Sequence, residues 1–260
     1  LLRASAAARD VVAPESAFAM QLKAVAGVDL EYPALRAHCE FFGVEPPALV
    51  PLPSAEGLVV GAEVARPRDV AAFLGEIARV GEETGMVDVG SARGSVGLTA
   101  ETRIRLAEGS ELFVRAGAEN RHVHVGWAER RVAPKLRKVF SVVPSIEVSE
   151  LAALLSNPDR NGERVALDAD VAGHVAHATS VVVFDGHTVR RTYEITRESA
   201  LSAAERAVVR ALEASGGEGT LKEVRVACRK AGISQTAAYW AVAAGPLAHK
   251  VGRGRYRLCG

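Results

Sequence analysis

Apolar positions recur every three or four residues through the first fifty positions of the chain. Glu15–Ala26 and Tyr32–Phe42 each read as a helix, the second with Leu35, Cys39 and Phe42 on one face. Pro46 and Pro47 stop it, and Val50–Gly57, with two prolines and a glycine, reads as a linker. From Leu58 the texture changes to short apolar runs. Leu58–Ala65, Met86–Val89, Val96–Leu106, Leu112–Ala116 and His122–Trp127 read as strands, with turns at Gly109 and at Ala118-Glu-Asn120. Between the first two, Arg66-Pro-Arg-Asp69 opens a helix carrying Val70, Phe73, Leu74 and Ile77. A second stretch runs similarly. Val139–Val143 reads as a strand, Ser149–Leu155 as a helix, and Val165–Leu167, Ser180–Phe184 and Val189–Ile195 as strands. The last two are joined by Asp185-Gly186-His187, a strong hairpin signal.

Residues 201–260 are the most legible. Ser202-Ala-Ala-Glu205 and Thr220-Leu-Lys-Glu223 are capping boxes, each opening a helix. The first helix buries Val208, Val209 and Leu212 and ends at Gly216-Gly217; the second runs to about Lys230. Gly232-Ile-Ser234 is a tight turn, after which Ser234 caps a third helix reaching Ala244, with Ala238 and Val242 inward and Tyr239 outward. Leu247–Val251 and Tyr256–Leu258 form a hairpin around Gly252-Arg-Gly-Arg255. Trp240 reads as a core or interdomain plug, with a nucleic-acid contact as the alternative.

Ala231-Gly-Ile-Ser-Gln-Thr-Ala-Ala-Tyr239 and Val251-Gly-Arg-Gly-Arg-Tyr-Arg-Leu258 resemble the turn, third helix and wing of the winged helix-turn-helix family, over about a quarter of the chain. That resemblance implies a double-stranded DNA partner, with the N-terminal end of the third helix in the major groove. Ser234, Gln235 and Thr236 stand there, with Tyr239 beside the groove. The wing's glycines let Arg253 and Arg255 approach phosphates or a narrow minor groove, flanked by Lys250 and Arg257. Lys222, Arg225, Arg229 and Lys230 on the second helix would hold the backbone. The third helix departs from the family pattern, since it is alanine-rich and carries no Lys or Arg. Residues 58–197 resemble the repeated unit of DNA sliding clamps in element order, and loosely the TATA-binding-protein fold, with repeats at 58–132 and 137–197. An unrelated α+β domain is the other account. The expected class is α+β: a helical segment over 1–50, a mixed body over 58–197 with a candidate duplication, and a C-terminal winged helix over 201–260.

Charge changes the picture only locally. The chain of 260 residues carries a net +1, which argues against a nucleic-acid coat along its whole length. Residues 201–260 hold ten Lys/Arg against four Asp/Glu, whereas the first 200 are net −5. Arginine outnumbers lysine 26 to 6, which a GC-rich genome explains as well as phosphate binding does. With 48% hydrophobic and 24% charged residues the chain is globular in composition.

Three scattered cysteines form no metal or disulfide spacing and fit a reducing compartment. No apolar run reaches the length of a membrane span. The start, Leu-Leu-Arg-Ala-Ser, has neither initiator Met nor signal-peptide pattern, so a cytoplasmic fragment of a longer chain is expected. His122 and His124, with His174 and His177, would make a metal site only if folding gathered them; satisfied histidines are the simpler reading. Gly90–Gly97 lacks the lysine of a P-loop and reads as a hairpin loop. Asp168 and Asp170 with Glu163 read as a solvated strand end rather than a Mg²⁺ site. No catalytic constellation and no cofactor is expected. The leading expectation is a transcription regulator whose body oligomerises or binds partners. The alternatives are a phage- or plasmid-type replication, recombination or maintenance factor with a clamp-like body, and a protein-interaction adaptor.

Overall fold

The computed structural model describes residues 2–52, 57–92, 97–117, 120–157 and 167–260. The chain is mixed α+β and divides into two compact units, Leu1–Trp127 and Ala128–Gly260. The first unit contains α1 (Leu2–Ala8), β1 (Val12–Pro14), α2 (Glu15–Ala26), α3 (Tyr32–Phe41), β2 (Ala48–Val50) and β3 (Leu58–Val60). It continues with α4 (Pro67–Thr84), β4 (Met86–Asp88), α5 (Ala100–Gly109), β5 (Phe113–Arg115) and β6 (Arg121–His124), and α6 (Val125–Arg131) follows. The second unit holds α7 (Ala133–Phe140), β7 (Ser145–Glu147), α8 (Val148–Leu155), α9 (Ala169–His177), β8 (Val182–Phe184) and β9 (Thr188–Arg191). It ends with α10 (Arg197–Ala200), α11 (Ala203–Ala214), β10 (Glu218–Thr220), α12 (Leu221–Lys230), α13 (Gln235–Ala243), β11 (Ala248–Gly252) and β12 (Arg255–Leu258).

Among the described residues there are four sheets, each of three antiparallel strands. Each places the strand that comes last in sequence between the other two: β1-β3-β2, β4-β6-β5, β7-β9-β8 and β10-β12-β11. Three of them share the order helix, strand, helix, helix, strand, strand. In the fourth, the set from α4 to β6, the described residues hold one helix, α5, between β4 and β5. The leading helices begin at Leu2, Pro67, Ala133 and Ala203, intervals of 65, 66 and 70 residues.

Each set folds its helices onto one face of its small sheet. In the first, Phe18, Leu22, Leu35 and Cys39 pack with Val59. In the second, Val70, Phe73, Leu74 and Ile77 along α4 meet Val87 and Phe113. In the third, Leu136, Phe140, Leu151, Leu154, Val175 and Val189 are buried. In the last, Val208, Val209 and Leu212 meet Val224, Cys228, Ala238, Val242 and Leu258. Burying a side chain of this size stabilises by roughly 1.5–3 kcal/mol.

Several sequence readings are corrected. Of the Val96–Leu106 reading, Val96 lies outside the described residues and residues 100–106 are helix: α5 begins at Ala100, where the Thr99 hydroxyl accepts from Thr102 N–H and caps the helix. Val139–Val143 is no strand: Val139 and Phe140 are the last residues of α7 and the chain then turns, because Pro134 near the start of α7 and buried Leu136, Val139 and Phe140 impose helical spacing. Beyond His124 the chain turns into α6 instead of extending to Trp127. Asp168 stands at the start of α9 and Asp170 in its first turn, not at a strand end. Glu163, most of Val165–Leu167, the centre of the Gly90–Gly97 loop and the Ala118-Glu pair lie outside the described residues. The first fifty residues hold strands β1 and β2 as well as helices. Among the described residues no helix is long and apolar enough to cross a membrane.

Candidate nucleic-acid interface

The local sequence rules decide the shape of residues 201–260. Both capping boxes form: Ser202 Oγ accepts from Glu205 N–H while the Glu205 carboxylate accepts from Ser202 N–H, and Thr220 and Glu223 repeat the exchange. Ser234 Oγ accepts from Ala237 N–H at 3.2 Å, so this residue is engaged as the cap of α13. Val224 and Cys228 face the core from α12, and Ala238, Ala241 and Val242 from α13.

These inward residues set what faces out. Lys222, Arg225 and Arg229 lie three and four apart, hence on one face of α12. With Leu221, Val226 and Gln235 they line a groove of about 370 Å³ beside the start of α13. Lys230 lies off this groove and lines a second depression with Thr220, Lys222, Glu223, Val226 and Ala227. Lys222, Arg229 and Lys230 are exposed and have no ion-pair partner among the described residues. Like charges at such spacing repel by a few tenths of a kcal/mol per pair, a cost that a bound polyanion would relieve. Arg225 is half-buried, its guanidinium 5.5 Å from the centre of the Tyr239 ring. Its Nε is buried without a hydrogen-bond acceptor among the described residues.

Gln235 and Thr236 are exposed in the first turn of α13, and Tyr239 and Trp240 follow on the same side. Trp240 meets Tyr239 edge-on, ring centres 5.3 Å apart. It is 37% exposed, so it is a surface ring and not a core plug. Tyr256 of β12 lies beside this group. Burial pushes its phenol up, Tyr239 adds to the rise, and Arg225 opposes it.

The β11–β12 hairpin turns tightly at Gly254, whose φ of 68° is open to glycine at little cost. Its register shifts between Lys250 and Gly252. Lys250 and Arg253 are exposed, and neither has an ion-pair partner among the described residues. Arg255 and Arg257 are also exposed but both reach the carboxylate of Glu218 on β10, at 3.0 and 3.1 Å. The register explains it, since Glu218 lies opposite Arg257 and Thr220 opposite Arg255. The sequence reading missed Glu218 because its partnership exists only once β10 and β12 pair. It also left Trp240 and Tyr256 outside the set; the spacing of Thr236, Tyr239 and Trp240 along one helix face was the available signal.

Elsewhere, His122 and His124 are both buried on β6; His122 Nε2 lies 3.6 Å from Glu108, and His124 Nδ1 accepts from Trp127 N–H. His174 is partly buried on α9, where burial first, and then His177, lower its pKa. Among the described residues no three His, Cys, Asp or Glu side chains gather as a metal site. Comparison with known protein families, with curated proteins and with solved structures finds no match for this chain.

Proposed function

We propose that this chain is a DNA-binding protein built from four tandem winged-helix modules, of which the last, residues 203–258, contacts DNA. Within that class a transcription regulator is the reading we adopt, with the first three modules serving oligomerisation or partner binding. The observation that carries it is the groove of Lys222, Arg225 and Arg229 beside Gln235 at the start of α13. Cations there have no acidic partner among the described residues, and the exposed Arg253 extends the positive surface into the hairpin. The helix in the corresponding place of the third module, α9, starts with Asp168 and Asp170 instead. Charge therefore favours the start of α13 over the start of α9 as a site for a polyanion.

The test is duplex binding by the full chain across a salt series. Removing Lys222, Arg229 and Arg253 together as alanines weakens binding to every sequence and flattens the slope of log K on log salt. Each lost phosphate contact removes about 0.9 from that slope. Unchanged affinity and slope would overturn the reading.

One observation favours a protein-binding role for the first module. Phe41 is 82% exposed and stacks edge-on against exposed Phe42, with Met20 and Val25 also exposed. If the whole chain is an adaptor, it has no salt-dependent affinity for nucleic acid at all.

A further inference from the structure

We infer that the exposed face of α13 takes unpaired bases, so that the last module favours DNA containing an opened stretch over fully paired DNA. This rests on the DNA-binding reading above and specifies the form of DNA the same site accepts.

The argument starts from what α13 offers. Its outward stripe is Thr236, Tyr239, Trp240 and Ala243, since Ala238, Ala241 and Val242 are inward. Reading base edges in a paired groove calls for long hydrogen-bonding side chains such as Arg, Asn or Gln. Past Gln235 and Thr236 the helix has none. Its next turn presents two aromatic rings at the surface, each 37% exposed. Arg225 lies over the Tyr239 ring, and Trp240 meets that ring edge-on at 68°. Flat π surfaces flanked by cations match what an unpaired strand presents: stacking faces and a phosphate backbone. Lys222 and Arg229 line the adjacent groove for that backbone. Opening paired DNA costs free energy that stacking on these rings only partly returns, so the preference falls on DNA that is already open.

The chain contains two tryptophans, and Trp127 is only 8% exposed, so quenching by stacked bases reports Trp240. The full chain is titrated at fixed salt with a paired duplex, the same duplex carrying a central unpaired bubble, and one of its strands. The bubble is expected to bind at least about fivefold tighter than the paired duplex, the lower end of what one stacked base contributes. Bubble and single strand quench the fluorescence, and the paired duplex does not. Trp240→Leu brings the bubble-to-duplex ratio close to one, while Trp240→Phe keeps most of it. If Trp240→Leu does not fold, Tyr239→Leu and the quenching of the unaltered chain decide. Equal affinity for paired and opened DNA, or tight binding of the bubble without quenching, overturns this inference and leaves the DNA reading standing. Failure to bind any of the three overturns both.

Discussion

Glu218 holds Arg255 at 3.0 Å through one carboxylate oxygen while its other oxygen holds Arg257 at 3.1 Å, so one acidic residue engages two cations of the hairpin strand and offsets half their charge. All three side chains are at least partly exposed, and such pairs contribute little to stability, about 0–1 kcal/mol. Their effect is on charge. Glu218→Gln releases both arginines with the fold intact. DNA binding becomes tighter, and the slope of log K on log salt steepens by up to about 1.8, two contacts at about 0.9 each. An unchanged slope in a salt titration would mean that these arginines touch no phosphate.

The two capping boxes make a separate prediction. Ser202→Ala and Thr220→Ala each remove a hydroxyl that accepts a backbone N–H at the start of α11 or α12. Each variant is expected to lose about 1 kcal/mol in chemical denaturation. The two losses should add, since the caps do not share a partner.

Glu205 gives a pH dependence. Burial pushes its carboxyl up, but the hydrogen bonds from Lys138 and Ser202 outweigh this and leave it below the ordinary value of 4.5. Lys138 Nζ donates to it at 2.6 Å, tying α7 to α11. A depressed folded pKa stabilises fully above the unfolded value and fades as pH falls through the folded one. Glu205→Gln is therefore expected to cost about 1–2 kcal/mol at neutral pH. The gap to the parent should narrow below pH 4.5. A gap constant from pH 7 to pH 3 in denaturant titrations would assign Glu205 a purely steric role.

Gly85 ends α4 at φ 83°, and a Cβ there would stand 2.5 Å from the Trp127 ring. Gly85→Ala combines a left-handed backbone, which costs roughly 1–2 kcal/mol for other residues, with that collision. The first unit should lose at least about 2 kcal/mol. The Trp127 emission should shift red as the ring is displaced towards water. A loss of no more than about 1 kcal/mol, the lower end of the backbone cost alone, would show that the ring yields freely.

What the sequence made legible tracks how local the determinants are. The caps of α11 and α12 each lie within four residues, and both form as read. The face of α4 also stands out, because eighteen residues give the period time to repeat. Strands β1 and β2 are three residues long, too short for alternation to register, so their segment reads as helices alone. In α5, Thr102-Arg-Ile-Arg-Leu106 alternates polar and apolar as a strand would, yet the Thr99 cap and the burial of Leu106 and Ala107 make it a helix. Within the candidate interface, the cations of α12 follow from helical spacing. The Glu218 clamp does not, because it depends on a register between segments 39 residues apart.

The arrangement of strands bears on synthesis. In every sheet the central strand is the last to leave the ribosome, so the two outer strands have no partner until it arrives. Each sheet is thus completed in one step, by insertion of β3, β6, β9 or β12 between strands already made. Translation at roughly 5–20 residues per second delivers these closing strands several seconds apart. Such timing lets each module pair the inner edges of its outer strands before the next pair is made, which limits pairing between modules of like topology.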